Sequence, residues 1–159
     1  MTSESVRAEI VETGNPSIKA GRITISAPAQ EIFDIVAHPA RHAQFDGSGT
    51  VEEQVSGPER LELGATFGMA MRIKLPYRIK NTVVEFDEGK RIAWRHTGRH
   101  RWRYEFEPID DSTTVVTETF DGTTALFPPA LKLMNASVNN QKAIVKSLVR
   151  LKELAESTH

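Results

Sequence analysis

Apolar and polar residues alternate with a period of two almost throughout Thr50 to Asp121, while the segments flanking that block include runs with the period of a helix. Ahead of the block, SIKAGRITIS (Ser17 to Ser26) sets Ile18, Ala20, Arg22 and Thr24 against Lys19, Gly21, Ile23 and Ile25, and its β-branched content predicts a strand. Pro28 suits the first position of a helix over PAQEIFDIVA, where Ile32, Phe33 and Val36 make one apolar stripe; Pro39 ends that helix by restricting His38. PARHAQF predicts a second short helix running to an Asp46-Gly47 turn. Inside the block, turn signals at Gly57-Pro58, Gly64, Leu75-Pro76, Asp87-Glu88-Gly89, Gly98 and Asp110-Asp111 mark off about six strands of a meander. Beyond it, residues 128 to about 156 read as one helix with Leu131, Met134, Val138, Gln141, Val145 and Leu148 on a stripe flanked by Ala130, Ser137 and Ala155. At about 1.5 Å per residue that helix is on the order of 40 Å long, enough to cross a whole sheet. Residues 1–16 are polar and predict a frayed arm or an extra edge strand, leaving 17–159 as a single domain.

The stretch AWRHTGRHRWRYEFEP (Ala93 to Pro108) mixes cations with aromatics, as a nucleic-acid strip would. Hairpin geometry separates them. With Thr97, Gly98 and Arg99 as the loop, His96 faces His100, Trp94 faces Trp102 and Ile92 faces Tyr104, so the large apolar side chains share one face. A one-residue slip would expose both tryptophans and bury arginines. Carrying the ladder through an Asp110-Asp111 turn places Arg103 opposite Glu118 on the outer face and Tyr104 opposite Thr117 on the inner one.

Composition narrows the function classes. The 159 residues carry 20 Lys and Arg against 21 Asp and Glu, a net charge of −1, where a phosphate-tracking chain would show a basic excess. No nucleic acid is expected. The absence of cysteine removes disulfides, thiolate nucleophiles and zinc–thiolate sites. The first residues lack a basic segment followed by an apolar run, and no stretch is apolar enough to span a bilayer. These features predict a cytoplasmic chain without stable membrane insertion; a homodimer is left open.

A meander cannot leave a face of Met, Phe and Trp open to water, and the terminal helix is the element long enough to cover it. A strongly curved sheet gripping one helix leaves space between them, which predicts a cavity. ITISAPAQEIFDIVAHPARHAQFDGSGTV, RIAWRH, YEFEPIDDSTTVVTETFDG and the long last helix together resemble the helix-grip superfamily, also called START-like, Bet v 1-like or SRPBCC, and especially its polyketide cyclase/dehydrase branch. The likeness runs from about residue 17 to the end and rests on the order of elements; Phe45 stands where many relatives have Trp. It implies an α+β helix-grip fold, with a curved antiparallel sheet of six to seven strands around the C-terminal helix and two short helices after the first strand.

Polar groups on the inner face are the informative ones, since each costs about 1 to 3 kcal/mol if buried without a partner. Gln141 lies mid-stripe on the last helix, where it bonds either a ligand or a neighbouring carbonyl. His96 is either an acid–base group or a solvated histidine at a hairpin end, and Tyr104 is either a carbonyl-orienting hydroxyl or a satisfied core residue. Asn81 points inward if Ile79 and Val83 do, although RIKNTVVEF alternates poorly and suggests a bulge. Phe45 and Asp46 fall at the cavity mouth. His38 and His42 have the spacing of a metal pair, but Pro39 interrupts the helix between them and no third ligand is near, so no metal is expected. GSGT (47–50) lacks the Lys and the strand–helix context of a phosphate loop, and no nucleophile elbow is present.

The predicted wall comprises Phe45, Phe67, Met69, Met71, Asn81, Trp94, Trp102, Tyr104, Thr117, Met134, Val138 and Gln141, with Tyr104, His96 and Gln141 as the catalytic candidates and no cofactor implied. The leading reading is a binder of a hydrophobic small molecule: a lipid, a sterol-like or a polyketide-derived compound. The alternatives are a cyclase or dehydratase using the same cavity, which a titratable residue deep inside would favour, and a protein-partner module with its cavity collapsed.

Overall fold

A computed structural model describes residues 7–96, 99–123 and 136–157. Its sheet has eight strands, all paired antiparallel: β1 (Glu9–Val11), β2 (Ile18–Ile25), β3 (Val51–Ser56), β4 (Thr66–Ile73), β5 (Leu75–Asp87), β6 (Arg91–His96), β7 (Arg101–Asp110) and β8 (Thr113–Asp121). They lie in the order β1-β2-β8-β7-β6-β5-β4-β3. The expectation of six to seven strands falls short by β1, three residues too few to carry a periodic signal, which pairs Glu9 with Arg22 and Val11 with Ala20. Between β2 and β3 come α1 (Ala29–Ala37), a 3-10 turn (Pro39–Arg41) and α2 (His42–Phe45), and the chain closes with α3 (Ala136–Glu156). Pro28 precedes the first helical residue as its N-cap, and Pro39 starts the next turn, as the fixed proline φ favours.

The β6–β7 ladder pairs Ile92 with Tyr104 and Trp94 with Trp102, and the His96 amide donates to the His100 carbonyl at 3.1 Å. The β7–β8 ladder departs from the sequence expectation. The turn is Asp111-Ser112, with the Ser112 amide held by Asp110 Oδ1 at 2.9 Å, and Ile109 bulges out between Pro108↔Thr114 and Asp110↔Thr113. The unpaired residue changes the parity of the ladder, so Tyr104 faces Glu118 and Arg103 faces Thr119. Thr117 consequently pairs with Arg22 and Glu105 on the outer face, and Glu118 turns inward. A second bulge separates Val83 from Glu85 in β5, where the alternation was poor.

Arg91, Arg101 and Arg103 of the hairpin gather on the outer face, where their partner is Glu85 rather than Glu118. Arg103 makes a 2.7 Å ion pair with it, and Arg91 and Arg101 approach to 3.5 Å. Arg103 lowers the Glu85 pKa by its hydrogen bond, against the opposing effect of burial.

α3 crosses the concave face closest to β2, where Gly21 admits it: a Cβ there would lie 2.9 Å from Ile144 Cγ2 and 3.3 Å from Leu148 Cδ1. Its C-terminal end is tied to β2 by Lys152, whose Nζ donates to the Thr24 carbonyl at 2.9 Å, and by Glu156, which accepts from the Ser26 amide at 2.8 Å. Under that end the interior is solid. Ile32, Val36, Leu148, Leu151 and Val116 are fully buried, and Phe33 meets Phe86 and Phe106 edge-on at 5.5 and 5.4 Å. The opposite end, beneath the β4–β5 and β6–β7 turns, is not filled.

Candidate functional site

The unfilled end is a cavity of about 710 Å³ bounded by the concave face of β4 to β8, by α2 and the loop after it, and by the α3 residues Asn139 to Ser147. A volume of this size suits a drug-sized organic molecule. Its apolar wall includes Met69, Met71, Ile79, Trp94, Trp102 and Phe120, while Phe45 closes it from α2. Trp102 and Phe120 pack at 5.0 Å, and Trp94 stacks on Tyr104 at 5.8 Å. Phe67, 1% exposed, stands behind this wall with its ring edge-on to Trp94 at 5.8 Å.

The floor is polar. Tyr104 donates its hydroxyl to Glu118 Oε1 at 2.7 Å, and both residues are buried. Burial raises the Glu118 carboxyl to about 8, the Tyr104 hydrogen bond opposing the rise and the nearby Asp46 charge adding to it. At neutral pH Glu118 is therefore the uncharged acid. Burial and the same carboxyl push Tyr104 well above its ordinary value, so it remains a phenol. Among the described residues, Glu118 Oε2 has no partner, and the same holds for Asn81 Oδ1, which is 2% exposed on β5. Both residues border the cavity, and these two buried polar atoms lie just beneath its surface without partners.

Three histidines flank this floor. His42 stacks on Trp94 at 4.9 Å, and its Nε2 donates to the Val36 carbonyl at 2.8 Å; burial lowers it to about 4, so it is neutral. His38, four residues earlier, turns its Nδ1 to the Asp34 carbonyl instead. His96 and His100 lie ring to ring at 4.5 Å near the mouth, both below the ordinary histidine value through burial, His96 also through the proximity of His100. His96 is half-buried and borders the cavity.

Gln141 does not enter this space. The buried face of α3 runs through Ala143, Ile144, Ser147, Leu148, Leu151 and Ala155, and Gln141 lines a separate hollow of about 160 Å³ with residues 11–16 and Ile18 and Lys19. The stripe drawn through Gln141 and Val145 is displaced around the helix from the one that meets the sheet. Met134 and the side chain of Val138 lie outside the described residues. The loop over α3 is pinned by Gly47, whose amide donates to Ser147 Oγ at 2.7 Å; a Cβ on it would sit 2.4 Å from the Ala143 carbonyl oxygen. Asp46 folds back on the same loop, accepting from Ser48 and from the Val51 amide.

The pattern of the family described as polyketide cyclase / dehydrase and lipid transport matches residues 18–156. The chain belongs to that family. The order of elements matches as well: protein Ms6760 of Mycobacterium smegmatis shares the fold with a TM-score of 0.70 at 15% identity, covering 97% of this chain and 100% of that one. The polyketide-cyclase-like protein Cgl2372 of Corynebacterium glutamicum gives 0.62 at 18% identity, covering 89% and 92%. At such identities the likeness concerns the fold. Nearer in sequence is the uncharacterized protein Rv0088 of Mycobacterium tuberculosis, 42% identical over 113 residues, which is 70% of this chain and 50% of that protein. The chain spans about half the length of the curated relatives it matches.

In this member of the polyketide cyclase / dehydrase family, then, the structure gathers Phe45, Met69, Met71, Asn81, Trp94, His96, Trp102 and Tyr104 around one cavity. It leaves Thr117 outside the wall and Gln141 in another hollow. Sequence reasoning missed Glu118, His42 as a wall residue, His100 and Phe120. Phe120 carried the signal for Glu118: two residues on in the same strand, it had to face the core and so fixed the carboxyl on the inner side. Among the described residues no helix is long and apolar enough to cross a membrane.

Proposed function

We propose that the cavity binds an apolar small molecule of the lipid, sterol-like or polyketide-derived kind, with an oxygen-bearing end against the floor. The observation that carries the reading is the pairing of a Met and aromatic wall with a buried acid that has one oxygen hydrogen-bonded to Tyr104 and the other buried without a partner at the cavity floor. Tyr104 occupies Glu118 Oε1. The protonated Oε2 is then a donor for a ligand carbonyl or hydroxyl, and the apolar wall takes the rest of the molecule. Methionines at positions 69 and 71 give that wall a surface that adapts to irregular shapes. A cytoplasmic site of action belongs to this reading.

Native mass spectrometry of the protein as purified from its own host tests it directly. The expected result is a retained small molecule. The same compound should raise the melting temperature of the wild-type protein and not that of Trp102→Ala, since Trp102 and Phe120 form one side of the wall. Equal stabilisation of the two proteins would remove Trp102 from the site.

A second reading, a cyclase or dehydratase, draws on one specific observation: a titratable group lies at the floor and not at the rim. An un-ionised Glu118 would give its proton to a departing hydroxyl, and the carboxylate so formed would take the proton from the carbon next to the substrate carbonyl, releasing one water and restoring the acid. Incubation of the recovered compound with the protein separates the two readings. An unchanged mass supports carriage, and loss of one water with Glu118→Gln inactive supports dehydration.

A further inference from the structure

The β4–β5 hairpin ends in a tip at the cavity mouth, where Ile73 and Tyr77 border the opening and remain exposed. Ile73, Leu75 and Tyr77 are 56%, 75% and 39% exposed, and they stand on the same side of the hairpin as the wall residues Met71 and Ile79. Lys74, with φ +61°, forms the point of the turn between the paired Ile73 and Leu75. From Met71 to Lys80 the sequence holds four cations, Arg72, Lys74, Arg78 and Lys80, and no acidic residue, against a net charge of −1 for the whole chain; Arg72 is paired with Glu52 of β3 at 2.8 Å. Across the mouth, the facing lip belongs to α3 and carries the exposed Lys142 and Lys146. One lip is therefore apolar with cations behind it, and the other is cationic.

Exposed apolar side chains on a hairpin cost hydration free energy unless something covers them. Cations in the same ten residues oppose coverage by a basic partner and favour an anionic one, and a thin two-stranded tip presents its side chains to a plane better than to a groove. We propose that this tip docks the cavity mouth onto an anionic lipid bilayer, with Ile73 and Leu75 entering the acyl boundary and Lys74, Arg78, Lys142 and Lys146 at the headgroup level. The inference rests on exposure and charge at the mouth and does not require any particular cavity ligand.

Sedimentation of the full chain with vesicles tests it. The wild type should partition onto phosphatidylcholine vesicles containing phosphatidylglycerol, should not bind phosphatidylcholine alone, and should be released as salt rises. Lys74→Ser/Arg78→Ser should weaken partitioning by roughly twenty-five-fold, at about fivefold per cation. Ile73→Ser/Leu75→Ser should lower it to the level of neutral vesicles. Ile109→Ser, an equally exposed site at the opposite end of the sheet, should change nothing. All of these residues are exposed, so unaltered melting temperatures establish that each variant is folded. Wild type that ignores anionic vesicles, or tip variants that bind like wild type, would overturn the proposal. So would a dimer dispersed by Ile73→Ser/Leu75→Ser without vesicle binding, which would assign the tip to a second copy. Retention of a ligand by the wild-type protein in native mass spectrometry is read separately from these outcomes, so the two proposals fail independently.

Discussion

Replacing Glu118 by Gln should change how stability depends on pH more than it changes stability at pH 5. The folded chain holds the Glu118 proton up to about pH 8, while the unfolded chain releases it near 4.5. Between those values the folded state binds the extra proton, so unfolding becomes easier as pH rises and the penalty is complete above about pH 8. Over the whole interval the penalty is roughly 5 kcal/mol, at about 1.4 kcal/mol per pH unit. His42, His96 and His100 act in the opposite sense. Each titrates below 6.5 when folded, so their stabilisation grows as pH rises towards 6.5 and is complete beyond it. The clean window is therefore pH 6.5 to 8, where the Glu118 contribution should fall by about 2 kcal/mol. Gln keeps an acceptor for the Tyr104 hydroxyl and has no proton to lose. Urea unfolding of both proteins at half-unit steps across that window should show the wild type declining relative to Glu118→Gln. Parallel curves would refute the buried, un-ionised carboxyl and, with it, the donor role assigned to Oε2.

Tyr104→Phe removes the hydrogen bond that favours the ionised carboxyl, so the Glu118 titration followed by carboxyl NMR should move above its wild-type midpoint, with a stability loss of about 1 kcal/mol at pH 6. Gly47→Ala forces a methyl group into the α3 backbone and should cost about 1 to 3 kcal/mol in chemical denaturation. Glu85→Gln leaves Arg91, Arg101 and Arg103 without their shared carboxylate; a loss of roughly 1 to 2 kcal/mol, shrinking in high salt, is expected from thermal melts.

The β6–β7 hairpin was legible because it offered two tryptophans, whose burial tolerates a single register. The β7–β8 ladder was not, because TTVVTETF places Val115 and Val116 side by side and one bulged residue, Ile109, reverses which of them faces in. That reversal moved the candidate from Thr117 to Glu118. Helix α3 was found over Ala136–Glu156 by its period, with residues 128–135 of the expected helix outside those described; its face was misjudged at Gln141, since the apolar residues span more than one stripe and the sheet selects the one through Ile144, Leu148 and Leu151. His42 was read for metal spacing, a property of sequence. Its stacking on Trp94 is a property of two elements meeting, which no local pattern encodes.

The interior is solid beneath α1 and vacant beneath α2, and this division separates the cost of changing shape from the cost of coming apart. Trimming a side chain such as Leu151 opens a new void among close-packed neighbours, whereas trimming Met69 or Met71 only widens one that already exists. On the proposed function, drift in the wall would therefore act mainly on affinity, letting descendants of one scaffold exchange guests while the half that holds them together stays unaltered.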